Sequence, residues 1–143
     1  MSKVEVKVVY SQVKAIDQIR KMYGEDRLRK VIFEATSFVR NEAVKGIASG
    51  PASGRIYSVG GKTAQRSAAG EYPMTDTGEL ISGIHHKFTN KGLRGRVESR
   101  APHSAALEFG TLKMAARPFL QPSLEAVRPK IQALLKKYKV GSK

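Results

Sequence analysis

The sequence predicts an α+β fold: a small antiparallel β-sheet of three to four strands, packed against a long helix and a C-terminal helix. Three observations predict it. Val4, Val6 and Val8 alternate with Lys3, Glu5 and Lys7, the period of a half-buried strand. Residues 25–48 carry apolar side chains at spacings of three and four, the period of an amphipathic helix. His85–Thr89 and Leu93–Ser99 read as two strands joined at Asn90-Lys91-Gly92, an antiparallel hairpin. Such strands and helices, with no regular βαβ alternation, favour helices gathered on one face of an antiparallel sheet. With 143 residues the chain has room for one domain, 1–143, and buries about two-thirds of its unfolded surface.

After the first strand, Val13 to Tyr23 reads as a short helix that stops at Gly24, a residue suited to a C-terminal cap. Glu25-Asp26 then opens the long helix, where two acids suit the positive end of the helix dipole. Its stripe is Leu28, Val31, Ile32, Ala35, Phe38, Val39 and Ile47, and Gly50-Pro51 ends it. Burying each large member is worth roughly 1.5–3 kcal/mol, so this helix is core.

Residues 49–73 change character, with five Gly, four Ser, four Ala and a single acid, Glu71. Such a stretch is too polar and glycine-rich to pack as a core element, and a loop this long in a compact domain is usually functional. Within this extended loop or arm, Arg55-Ile56-Tyr57-Ser58-Val59 reads as a strand turned back at Gly60-Gly61. Arg55, Tyr57, Lys62 and Arg66 are its candidates for contact with DNA or with a neighbouring subunit. The arm is expected to be mobile in a monomer and ordered in an assembly, with protein contact favoured because apolar residues lie between its charges.

Asp76-Thr77-Gly78-Glu79 reads as a capping box opening a short helix that carries Leu80, Ile81 and Ile84. Ser104 to Phe109 is expected to form a short helix or turn closed by Gly110. The last helix is expected to start near Pro122 and to carry Leu124, Val127, Ile131, Leu134, Leu135 and Tyr138. Pro129 is expected to kink or split it. Lys136, Lys137, Lys139 and Lys143 crowd its end, where cations favour the dipole.

Charge narrows the choice of partners. The chain has 26 Lys and Arg against 12 Asp and Glu, formally +14, a field that attracts nucleic acid, anionic surfaces or acidic protein faces. Without cysteine, disulfides and thiolate metal sites are excluded, which fits a reducing cytoplasm. Met1-Ser2-Lys3-Val4-Glu5 lacks the apolar run of a signal peptide, and no apolar stretch reaches the ~20 residues of a membrane span. A soluble protein made inside the cell, with no membrane partner, is expected.

Three hints of chemistry fail on inspection. Asp76-Thr77-Gly78 matches the aspartic-protease tripeptide, but its flanks Pro73-Met74-Thr75 and Glu79-Leu80 read as a helix cap. Gly60-Gly61-Lys62-Thr63 resembles the end of a phosphate-binding loop, yet Ile56 stands where the motif needs its first glycine. His85 and His86 are adjacent, so on a strand they point to opposite faces, and His103 is distant from both. No nucleophile, base and orienting group come together. A protein without catalysis, cofactor or metal is expected.

The second half of the chain carries four blocks in order. The first is Pro73-Met74-Thr75-Asp76-Thr77-Gly78-Glu79-Leu80-Ile81-Ser82-Gly83-Ile84, followed by the basic hairpin. Ala105-Ala106-Leu107-Glu108-Phe109-Gly110-Thr111 comes third. Met114-Ala115-Ala116-Arg117-Pro118-Phe119-Leu120-Gln121-Pro122-Ser123-Leu124 and a C-terminal helix close the series. In these blocks the chain resembles the small head–tail joining and tail-completion proteins of long-tailed bacteriophages. With the long helix included, the resemblance covers most of the chain beyond Asp26. Ser104-Ala105-Ala106 departs from it, because relatives often carry an aromatic just before the Glu-Phe-Gly-Thr block. The arm at 49–73 is also long, although an extended basic loop there is found in part of the family.

The resemblance implies a non-catalytic structural protein of the virion neck, assembled in the host cytoplasm. It implies a cyclic homo-oligomer at the top of the tail, a ring of six copies in preference to twelve, meeting neighbouring neck and tail proteins while genome DNA passes through. It also implies scaffold roles for Asp76, Thr77, Gly78, Leu80, Glu108, Phe109, Gly110, Thr111, Arg117, Pro118 and Phe119. Read physically, Gly110 suits a positive-φ cap, Phe119 and Leu120 suit anchors, and Glu108 is the nearest acid for Arg117. The alternative is a basic nucleic-acid-binding module without catalysis, although no known recognition element is evident.

Overall fold

The computed structural model describes residues 4–7, 21, 24–50, 52–74 and 78–138. In chain order its elements are β1 (Val4–Lys7), α1 (Glu25–Ser49), β2 (Ile56–Val59), β3 (Lys62–Gln65), α2 (Glu79–Ser82), β4 (Ile84–Thr89), β5 (Arg94–Ser99), α3 (Ser104–Phe109) and α4 (Leu120–Lys137). The fold is α+β. One sheet has three antiparallel strands in the order β1-β5-β4, and β2 and β3 form a second, separate antiparallel pair. Of the short helix expected over Val13–Tyr23, only Lys21 falls within the described residues, and it is helical.

The hairpin of β4 and β5 turns through Asn90, Lys91 and Gly92, all with positive φ, and sets the register Phe88↔Gly95 and His86↔Val97. β1 joins the other side of β5 with Val6 opposite Val97. α1 lies on β4 and β5, and α4 packs along α1 while touching β1. α1 comes close to the sheet at Gly95, where a Cβ would stand 1.9 Å from the Thr36 hydroxyl. Only a residue without a side chain lets the two layers meet there. Between the layers lies one core, built from Val31, Val39, Ile84, Val97, Phe119, Leu120, Val127 and Ile131. The apolar stripes of both helices face it as expected, with Ile32, Phe38, Leu124, Leu135 and Tyr138 only half-buried.

Three local expectations are corrected. Ile84 does not continue the short helix; Gly83 ends it, and Ile84 is the first, fully buried residue of β4. α4 begins at Leu120 rather than Pro122, because an acid elsewhere in the chain supplies its cap. It then runs unbroken through Pro129. A proline at this position deprives the Glu125 carbonyl of its helical donor. Glu125 and Pro129 both face water, which solvates that carbonyl, while Val127, Ile131 and Leu134 hold the helix on the core.

Candidate functional site

Two parts of the molecule gather the residues singled out by sequence, and a third was not foreseen. The first is the arm. Gly60 and Gly61, with φ of 59° and 77°, make the two-residue turn between β2 and β3, and Ile56 pairs with Gln65 in that ladder. Lys62 and Thr63 therefore continue into a strand, not into the helix that a phosphate loop requires. Arg55, Lys62 and Arg66 are exposed. The Arg66 guanidinium stands 4.6 Å from the centre of the half-buried Tyr57 ring, a cation–π contact on one face of the hairpin. Ile56 is 63% exposed, and no other described element packs extensively on the hairpin.

The neck of the arm is tied down by the one acid in the segment. Glu71 accepts hydrogen bonds from the Ser53 hydroxyl, from the Ser53 backbone N–H at 3.1 Å and from the Ala68 N–H at 2.8 Å. These donors, led by the Ser53 hydroxyl, hold its carboxyl below the usual carboxylate range, with a smaller contribution from the Arg117 charge. Gly54 N–H donates to the Arg66 carbonyl, Gly70 N–H to Ala116 and the Arg117 guanidinium to Ser67. Beside the neck, the Tyr72 ring lies against Gly46 of α1. Its hydroxyl is 3.0 Å from that of Ser123, and burial raises its pKa.

The second part is the turn between α3 and α4, where the sequence expectation was partly mistaken. Glu108 does not pair with Arg117, whose guanidinium goes to the Ser67 carbonyl in the arm's neck. The Glu108 carboxylate is buried and accepts the backbone N–H groups of Phe119, Leu120 and Gln121 at 2.8, 3.0 and 2.9 Å. The next residue, Pro122, has no N–H. All four orphan donors at the start of α4 are thus accounted for by one distant acid and one proline. Gly110, at φ 74°, turns the chain between them, and its N–H donates to Ala106. A Cβ there would meet the Ala116 nitrogen at 2.9 Å.

Phe119 and Leu80 are buried as scaffold residues should be, and Pro118 is half-buried. Phe109 is not: it is 73% exposed, and with the fully exposed Leu112 it stands on the outside of the turn. Thr111 is also exposed and closes that turn by a bridge to Met114. Gly78, at φ 78°, directly precedes α2, while Asp76 and Thr77 lie outside the described residues.

The third part is an aromatic cluster near the start of α1. Phe33, 53% exposed, stacks on Phe88 with ring centres 5.4 Å apart, and His86 lies 5.3 Å from Phe88. An open, mostly apolar depression beside it is lined by Arg29, Lys30, Phe33, Glu34, Phe88 and Gly92. The Arg29 guanidinium joins the hairpin tip to the helix, donating to the Lys91 carbonyl, Asp26 and Glu25. One sequence signal pointed here: Phe33 is a large aromatic outside the helix's apolar stripe. Among the described residues no cluster of His, Cys, Asp or Glu could hold a metal ion, and no helix is long and apolar enough to cross a membrane.

No protein-family model, curated protein or solved structure matches the chain.

Proposed function

We propose that the chain is a structural protein of the neck of a long-tailed bacteriophage, a head–tail connector or tail-completion protein that forms a ring through which DNA passes. The observation that carries this reading is the arm: a basic hairpin fastened at its neck, on which no other described element packs extensively. A two-stranded hairpin is at best marginally stable alone in water, so this one is suited to finish its packing on another molecule. Two further features support the reading. Two of the residues that carry the family resemblance act here as scaffold, Glu108 through its cap and Phe119 through its buried ring. Ile56, Phe109, Leu112 and Phe33 remain exposed, apolar surface that an assembled particle would cover.

A second reading, a nucleic-acid-binding module, is favoured by the formal charge of +14 and by the exposed cations of the arm. The two readings part in solution. Electron microscopy of the purified protein, alone and mixed with tails that lack it, is expected to reveal rings or capped tail ends. A protein that stays monomeric or dimeric, ignores tail ends and binds free DNA with a steep salt dependence would overturn the ring and leave the binding module.

A further inference from the structure

The adhesive features lie towards opposite ends of α1. The arm's neck sits at its C-terminal end, where Gly46 and Gly50 meet Tyr72. Gly70 and Ser67 tie this neck to Ala116 and Arg117, so the turn bearing Phe109 and Leu112 belongs to the same end. The aromatic cluster begins at Phe33, seventeen residues before Gly50, which is about 25 Å of helix. Among the described residues no extensive packing joins arm and cluster.

The cluster also borders an open edge. In the order β1-β5-β4 the outer side of β4 has no neighbouring strand among the described residues. His86 and Phe88 stand on the α1 side of that edge strand, with Phe33 beside them. A strand added outside β4 would complete the ladder and lay alternate side chains over the exposed aromatic rings. The arm offers such a strand. Tyr57 is already covered by Arg66 on one face of the hairpin, while Ile56, its neighbour in β2, points to the other face and is exposed.

Charge is near balance at the start of α1, so the docking rests on the open strand edge and the exposed apolar side chains. The arm beyond its neck carries Arg55, Lys62 and Arg66 with no acid, the first ten residues of α1 set Glu25, Asp26 and Glu34 against Arg27, Arg29 and Lys30, and β4 carries Lys87. Glu25 and Asp26 are already paired with Arg29, at 3.1 and 2.7 Å.

We infer that β2 of one copy adds to the β4 edge of the next, with Ile56 covering the Phe33–His86–Phe88 cluster. This inference rests on the ring reading and deepens it by naming the contact. The contact joins two different surfaces of identical chains, the heterologous geometry that generates rings when the rotation closes.

The absence of cysteine gives a clean test. Ile56 and His86 are both exposed, so Ile56→Cys and His86→Cys leave the core intact. Under mild oxidation, a mixture of the two single variants is expected to give a cross-linked dimer containing one chain of each kind. The double variant is expected to give a ladder ending at the copy number of the ring. Rings in the microscope with no mixed cross-link, or with Ile56→Cys chains joined to each other, overturn the contact and leave the ring reading standing. Chains of every variant and of the wild type that stay monomeric both alone and mixed with tails that lack the protein overturn both. Loss of the mixed cross-link when single-stranded DNA is added to preformed rings, with the rings intact, assigns the aromatic edge to nucleic acid and overturns the contact.

Discussion

Glu108 and Glu71 do the same chemistry at different depths. Each carboxylate gathers backbone N–H groups from a returning chain, in a protein with only 12 acids against 26 cations. Glu108 is buried, and its three donors open the helix that completes the core. Glu71 is half-exposed, and its donors close only the neck of the arm. A buried carboxylate without its donors cannot fall back on water, so the first interaction is coupled to the whole fold. The second can open while the core stays shut. The arm is thus fixed in place by a fastening weaker than the fold that carries it, which suits a segment that must settle against a partner.

The largest effects are expected on the Glu108 side. Phe119→Ala removes a fully buried ring beside the capped helix start and should cost about 3–5 kcal/mol. Glu108→Ala should cost about 2–4 kcal/mol, because it leaves donors at the start of α4 buried without an acceptor. Urea unfolding of both variants checks this. A Glu108→Ala midpoint equal to wild type would erase the distinction between the two glutamates.

Gly110→Val should come next, at about 1–3 kcal/mol, from backbone strain at φ 74° and from crowding against the Ala116 nitrogen. At φ 74° and ψ 175° the backbone lies where essentially only glycine goes, so Gly110→Asn should lose about as much in the same urea series. A Gly110→Asn loss well below that of Gly110→Val would mean that crowding by the branched side chain, not backbone strain, sets the requirement for glycine.

The elements were legible where periodicity is local. The β4–β5 hairpin announced itself through Asn90-Lys91-Gly92, α1 through its stripe, and the arm through Gly60-Gly61. Glu108 is the nearest acid to Arg117 in the sequence, yet its carboxylate serves the backbone amides that open the last helix. Charge pairing with Arg117 is visible in a sequence; an acid serving amides 11 to 13 residues later is not, because no capping motif has that span. The same gap explains the start of α4. The local signal was Pro122, while the distant cap set the boundary two residues earlier. The Phe33–His86–Phe88 cluster needed a helix and a strand some fifty residues apart to be brought together, and spacing alone does not show that. Phe109 was misplaced for a related reason: its neighbours Glu108 and Gly110 are structural, but the chain turns between them and leaves the ring outside.

The smallest effect on the fold, and the most specific to the arm, is expected at Glu71. Its donors favour the ionised carboxylate, so its folded-state pKa lies below the ordinary value. A depressed pKa stabilises the neck above the unfolded-state value, and that contribution is lost as pH falls through the folded one. The loss therefore falls in a window below the ordinary glutamate value of about 4.3. The amide signals of Ser53 and Ala68 should shift together through that window, and their exchange with solvent should quicken after correction for its intrinsic pH dependence. Glu71→Gln should reproduce the open neck at neutral pH with the urea midpoint of the core unchanged, since the carboxylate holds only the arm. The amides of Phe119 and Leu120, held by Glu108, should remain protected in that variant. If Glu71→Gln instead exposes those amides as well, neck and core open as one unit, and the arm is not separately fastened.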